Sequence, residues 1–103
     1  NQQKVVLAKW LSMKPSILLL DEPTQAIDVG ARAQIFAILQ DLVEHGASII
    51  CASTDHDQLA QICDRVLILN NGRLFRTMTR AEINSTSIGE AVLLASTVSL
   101  PES

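Results

Sequence analysis

Two adjacent carboxylates, Asp21 and Glu22, directly follow the apolar run of residues 17–20. An uninterrupted apolar run of this length is typical of a parallel strand that is covered on both faces. Ligands of open parallel sheets bind beyond the carboxyl ends of the strands, so both acids are expected where a substrate would lie. An aspartate there can hold hydrated Mg²⁺, while the next side chain points the other way and can address a water molecule. The spacing alone also fits the polar start of an ordinary loop.

The segments around this pair predict the elements that position it. Apolar residues recur at helical spacing in residues 2–11, and Pro23 ends the strand that carries the acids. Asp28 is a suitable N-cap for a helix that runs to Gly46, where glycine provides the stop. The apolar residues 47–53 then predict a second strand.

The rest of the chain predicts a short helix, a hairpin and a final helix. The short helix covers residues 57–63, and Asn71-Gly72 supplies the positive φ angles of a tight turn between two strands. A capping box starts at Thr79, and a further helix is expected over residues 90–95. The order of helices and strands predicts an α/β fold with a mainly parallel core.

These segments resemble the motifs of the ATP-binding cassette (ABC) ATPases. "ILLLDEPT" followed by "AID" is similar to the Walker B segment and D-loop, and "NQQKVVLAKWL" resembles the end of the signature motif with its helix. "CDRVLILNNGRL" matches the end of the catalytic core, and "DEPTQAIDVGAR" is similar to the second cassette of monosaccharide importers of the ribose and galactose type. All motifs follow the family order over residues 1–83.

The resemblance implies a partial P-loop NTPase fold, with flanking helices and a C-terminal β-hairpin. Residues 1–83 would be the C-terminal portion of a nucleotide-binding domain, and residues 84–103 a C-terminal helix and tail. The chain would be a fragment of the ATP-hydrolysing subunit of a sugar importer. In the intact protein, that subunit couples ATP binding and hydrolysis to transport.

The resemblance also assigns roles to single residues. Asp21 would bind Mg²⁺ through water, and Glu22 would act as general base toward the attacking water. Asp28 would lie in the D-loop, which touches the opposite cassette across the bound ATP.

The first three residues would bind nucleotide as well. Asn1, Gln2 and Gln3 would lie at the N-terminus of the signature helix, whose positive dipole end faces the γ-phosphate of the partner's nucleotide.

Two features depart from the family pattern. Thr54 stands where most cassettes carry a switch histidine, and its hydroxyl can make a hydrogen bond near the nucleotide but cannot carry positive charge. Second cassettes of the sugar-importer group also tend to lack that histidine. His56 follows two residues later and is expected on the solvated surface. The sequence contains no G-x-x-x-x-G-K-[ST] motif, so this chain alone is expected not to hydrolyse ATP.

Composition excludes several other functions. With 103 residues, of which 48% are hydrophobic, the chain can bury one modest core. A net charge of −3 with scattered basic residues argues against a nucleic-acid partner. Apolar runs are far shorter than the roughly 20 residues of a membrane-spanning helix. Cys51, His56 and Cys63 lack the spacing of a zinc site and favour buried structural thiols.

The resemblance implies the setting in which the chain works. ATP and Mg²⁺ would be its cofactors, and its partners would be a second ABC cassette, membrane permease subunits and, indirectly, a periplasmic sugar-binding protein. Its location would be peripheral, on the cytoplasmic face of the inner or plasma membrane. A non-transport ABC ATPase and a truncated, non-catalytic interaction module are the alternatives, and "NQQK" and "DVGAR" favour the importer over the former.

Overall fold

A computed structural model describes Lys9, Ser12, Met13 and residues 15–98 of the chain. The elements in chain order are β1 (Ile17–Asp21), α1 (Val29–Glu44), β2 (Ser48–Ala52), α2 (His56–Ile62), β3 (Arg65–Asn70), β4 (Arg73–Thr79), a 3₁₀ turn (Arg80–Glu82) and α3 (Ser85–Val98). The predicted helix over residues 2–11 lies, apart from Lys9, outside the described residues.

The chain forms two compact units, Asn1–Thr54 and Asp55–Ser103. The predicted boundary at residue 83 marks where the family resemblance ends, not where a compact unit ends. This boundary stays a prediction.

The first unit contains the parallel strand pair predicted from the sequence. β1 and β2 pair in register from Ile17 opposite Ser48 to Asp21 opposite Ala52. Helix α1 connects the two strands, as a parallel connection requires. The buried residues of α1 recur at helical spacing on one face, which packs toward the sheet: Ile35, Leu39 and Leu42.

One face of this strand pair is apolar but exposed. Leu18 is buried, whereas its neighbours Ile17 and Leu19 are 65% and 70% exposed and Ile50 is 65% exposed. The apolar run predicted cover on both faces of β1. Among the described residues only one face is covered, because successive side chains of a strand point to opposite sides and α1 packs on one of them.

The second unit is a hairpin with two helices packed against it. β3 and β4 pair antiparallel, and the turn residues Asn71 and Gly72 have φ angles of 54° and 75°, which confirms the predicted tight turn. Apolar residues of both strands and both helices form one buried cluster: Leu59, Val66, Ile68, Met78, Ile88, Ala91 and Ala95.

Two details of this unit differ from the sequence prediction. Helix α3 begins at Ser85, five residues earlier than expected, because Asn84 and Ser87 cap its start. The Asn84 Oδ1 accepts a hydrogen bond from the Ser87 N–H at 2.8 Å, and the Ser87 Oγ accepts one from the Asn84 N–H at 3.0 Å. His56 is half-buried rather than solvated, since its ring lies near α3: a Cβ atom added to Gly89 would come within 3.5 Å of Nδ1.

No helix in the described part of the chain combines the length and the apolar character needed to cross a bilayer. Among the described residues, Cys51 and Cys63 form no disulfide, and each is half-buried. Burial is the main cause that raises the pKa of the Cys63 thiol, and Asp64 raises this pKa further, whereas Arg80 lowers it.

Candidate functional site

The two carboxylates lie at the carboxyl end of the parallel strand pair, as the sequence predicted. Asp21 is the last residue of β1 and is paired with Ala52, the last residue of β2. One further hydrogen bond extends this pairing beyond the strands, because the Glu22 main-chain N–H donates to the Ala52 carbonyl at 2.7 Å. Both acids therefore stand at the edge where the two strands end together.

Glu22 is held by its side chain as well as by its main chain. The main-chain N–H of Thr54 donates to Oε2 of the carboxylate at 3.0 Å. This hydrogen bond is charge-assisted when the carboxylate is ionised, and it is stronger than one between neutral groups. The other oxygen, Oε1, does not take part in this hydrogen bond, and a carboxylate oxygen can accept a hydrogen bond from a water molecule.

Asp21 differs from its neighbour because its side chain is exposed, whereas Glu22 is half-buried. Mg²⁺ usually keeps several waters and takes only one or two protein carboxylates, with the remaining oxygens supplied by substrate phosphates. A single exposed aspartate at the strand end fits that demand. Within the described residues there is no cluster of three His, Cys, Asp or Glu side chains, as a fully protein-bound metal would need.

A tight double turn follows the acids and leads to α1. The Gln25 N–H donates to the Glu22 carbonyl at 3.2 Å, and the Ile27 N–H donates to the Thr24 carbonyl at 3.3 Å. Glu22 and Ala26 adopt φ angles of 50° and 61°, in the left-handed region that non-glycine residues rarely occupy. The chain thus reverses direction within a few residues of the strand end.

Asp28 ends this turn as the N-cap of α1, which the sequence predicted. Its Oδ1 accepts a hydrogen bond from the Ala31 N–H at 2.8 Å, and its carbonyl accepts one from the Arg32 N–H at 2.9 Å. The side chain is exposed. Its predicted D-loop contact with a second cassette stays a prediction.

The described residues bring together Asp21, Glu22 and Thr54 of the predicted site. Asn1, Gln2 and Gln3 lie outside the described residues, so their predicted nucleotide contacts stay predictions. Thr54 was predicted to act through its side chain, whereas in the structure its amide contacts Glu22. Main-chain contacts leave no trace in residue type, and only the register of the two strands could have indicated this one.

Comparisons with known proteins connect this site to a family. No family model matches the chain. Similar proteins include the ribose import ATP-binding protein RbsA 1 of Rhizobium johnstonii, 49% identical over 92% of this chain, and RbsA 1 of Rhizobium etli, 47% identical over 90%. RbsA of Clostridium perfringens is 44% identical over 85% of this chain. The chain spans only 18–19% of the length of these relatives.

Solved structures agree with the sequence matches. An ATP-binding cassette of an ABC transporter superimposes with a TM-score of 0.74 at 21% identity, covering 92% of this chain and 38% of that one. The cbiO1 protein of Clostridium perfringens, part of the ABC transporter complex cbiONQ, superimposes with a TM-score of 0.65 at 29% identity. This match covers 95% of this chain and 38% of the cbiO1 chain. The predicted partial P-loop fold is thereby confirmed, and the chain matches a part of the ribose-import ATP-binding proteins and shares its fold with ABC ATPases.

Proposed function

We propose that this chain carries the metal-binding aspartate and the general base of an importer ATPase that couples ATP binding and hydrolysis to sugar transport. The observation that carries the proposal is the carboxylate pair at the joint end of two parallel strands, with the second carboxylate fixed by the neighbouring strand end. The matched relatives are ribose-import proteins, which favours an importer over a translation or repair ATPase. The same matches make a monosaccharide of the ribose type the expected transported substrate.

The two acids would divide the chemistry between them. Asp21 would hold Mg²⁺ through water, and the ion would neutralise charge on the β- and γ-phosphate oxygens of ATP. Glu22 would orient the attacking water and accept its proton at Oε1. A carboxylate that is fixed on a strand end suits this task, because in-line attack tolerates little misplacement of the water.

The remaining predicted residues would complete the site across a second cassette. Asp28 would contact that cassette, and Asn1, Gln2 and Gln3 would face the γ-phosphate of its nucleotide. Thr54 would lie beside the nucleotide bound next to Glu22.

The other partners follow from the importer assignment. They would be membrane permease subunits and, through them, a periplasmic sugar-binding protein, with the ATPase peripheral to the cytoplasmic face of the inner membrane. Turnover would further require a phosphate-binding G-x-x-x-x-G-K-[ST] loop, which the 103 residues do not contain.

The metal-binding part of this proposal can be tested on the chain itself. Mn²⁺ replaces Mg²⁺ at carboxylate sites and broadens the NMR signals of nearby amides. We expect it to broaden the amides of residues 20–24 and 52–54, and Asp21→Asn to remove that broadening. Asp41→Asn, a change to an exposed carboxylate of α1, is the matched control and should leave it intact. Equal broadening in wild type and Asp21→Asn would contradict the assignment of the metal to Asp21.

A further inference from the structure

We infer that the main-chain N–H of Thr54 is a positioning donor for the Glu22 carboxylate, so that position 54 acts on the general base through its amide rather than its side chain. This inference rests on the proposed function for the role of Glu22 as base. The contact itself lies within the first unit.

Two hydrogen bonds join Glu22 to the last residue of β2 and to Thr54, two residues beyond it. Its N–H donates to the Ala52 carbonyl at 2.7 Å, and its Oε2 accepts from the Thr54 N–H at 3.0 Å. A third hydrogen bond, from the Gln25 N–H to the Glu22 carbonyl at 3.2 Å, fixes the following peptide. The main chain on both sides of Glu22 and one carboxylate oxygen are therefore restrained together.

The backbone conformation of Glu22 supports the same conclusion. A φ of 50° is unfavourable for a residue with a Cβ and persists only where the surroundings determine it. Here the turn to Gln25 and the pairing to Ala52 impose that conformation. Because the main chain cannot relax without breaking these bonds, the direction in which the side chain leaves β1 is fixed.

The Thr54 amide then fixes the remaining freedom of the side chain. A glutamate has three side-chain torsions, and without a partner its carboxylate would sample several rotamers. Donation from Thr54 to Oε2 selects the rotamers that direct the carboxylate along the end of β2 and leave Oε1 to act on water. Every residue except proline has the required N–H, so a chain with threonine instead of histidine at this position keeps the contact.

The inference requires the Thr54 amide to be protected by its hydrogen bond to Glu22, which amide hydrogen exchange at constant pH measures by NMR on the full chain. Asp41→Asn, which changes an exposed carboxylate of α1, is the control and should leave the exchange rate of the Thr54 amide unchanged. In Glu22→Ala the Thr54 amide should exchange with solvent roughly 10 to 100 times faster, as expected for loss of a charge-assisted hydrogen bond.

A second pair of variants separates the amide from the side chain. Thr54→Ala keeps the N–H, so the Glu22 side chain should retain one rotamer, measured through its three-bond scalar couplings. Thr54→Pro removes the N–H, and the couplings should then average over several rotamers. If Thr54→Pro fails to fold, the exchange rate of the Thr54 amide in Glu22→Ala still decides the question.

The inference is overturned if the Thr54 amide exchanges no faster in Glu22→Ala than in the wild type, or if Thr54→Ala averages the Glu22 couplings as much as Thr54→Pro does. Failure of the proposed function gives a different result. In that case Mn²⁺ would not bind at Asp21, while the Thr54 amide would still be protected from exchange by Glu22.

Discussion

Removing the Asp28 side chain tests whether this residue is primarily a helix cap. Its Oδ1 accepts the Ala31 N–H at 2.8 Å, and its own φ and ψ of −69° and 168° are the extended values of an N-cap. No acidic residue lies in the first turn of α1, so Asp28 is the carboxylate that faces the positive end of this helix dipole. Asp28→Ala should therefore remove both the cap and the favourable charge.

The expected loss is about 1 kcal/mol for the cap, with a further roughly 0.3–1 kcal/mol for the charge at the helix end. For a domain of this size each kcal/mol lowers Tm by roughly 4–8 °C. Thermal unfolding followed by circular dichroism at the helix band should show this decrease. Asp28→Asn is the matched control: an asparagine caps about as well as aspartate, so only the smaller charge contribution should be lost.

Two results would refute this reasoning. Asp28→Ala could unfold at the wild-type temperature, or Asp28→Asn could cost as much as Asp28→Ala. The same pair of variants separates structure from function, because Asp28→Asn keeps the helix start. If Asp28 also contacts a second cassette, Asp28→Asn should weaken that association while leaving the Tm within a few degrees of the wild type.

Four further changes probe single features of the fold. Ile88→Ala, at a side chain with 0% exposure, should cost about 2–5 kcal/mol in urea-induced unfolding. Gly72→Ala should cost about 1–2 kcal/mol in the same assay through its φ of 75° alone, since an added Cβ meets nothing within 4 Å. Hydrogen bonds from the Thr79 N–H and, to a lesser extent, from its hydroxyl lower the pKa of Glu82. The stabilisation from these bonds is therefore fully present above the unfolded-state pKa of Glu82 and is lost as pH falls through its lower folded-state pKa. The Thr79 amide signal should therefore shift in acid, and Glu82→Gln should abolish that shift. Burial raises the pKa of Cys63, so iodoacetamide near pH 8 should modify this thiol more slowly in the folded chain than in urea.

The sequence predicted correctly those elements whose conformation is determined by a few neighbouring residues. The apolar run before Asp21 predicted β1, the capping side chain of Asp28 predicted the start of α1, and Asn71-Gly72 predicted the hairpin turn. In each case a few neighbouring residues determine the backbone conformation, either by side-chain bonding or by tolerance of positive φ.

Features that depend on distant contacts were not predicted. The left-handed conformation of Glu22 has no signal in residue type, because it is imposed by hydrogen bonds to Ala52 and Gln25. The early start of α3 was missed because serine and threonine are weak helix formers, and the reciprocal cap between Asn84 and Ser87 compensates for them.

Hydrogen bonds at the carboxyl end of the strand pair also help to fix the register of β1 and β2. Apolar side chains on both faces of β1 do not specify its register, because a slip by one residue would still place a leucine or isoleucine on the buried face. Polar contacts outside the strands supply the missing information. At one end the Ser48 N–H donates to the Ser16 carbonyl at 2.8 Å, and at the other end Glu22 bonds to both Ala52 and Thr54.

A slip by one residue would break the contacts at both ends together. The hydrogen bonds that fix the Glu22 carboxylate are thus among those that select the register, and the register in turn aligns the two strand ends. Strand alignment and the position of the proposed base therefore depend on the same few main-chain groups. A substitution that removes the Glu22 side chain should consequently loosen the end of β2 as well as remove a carboxylate.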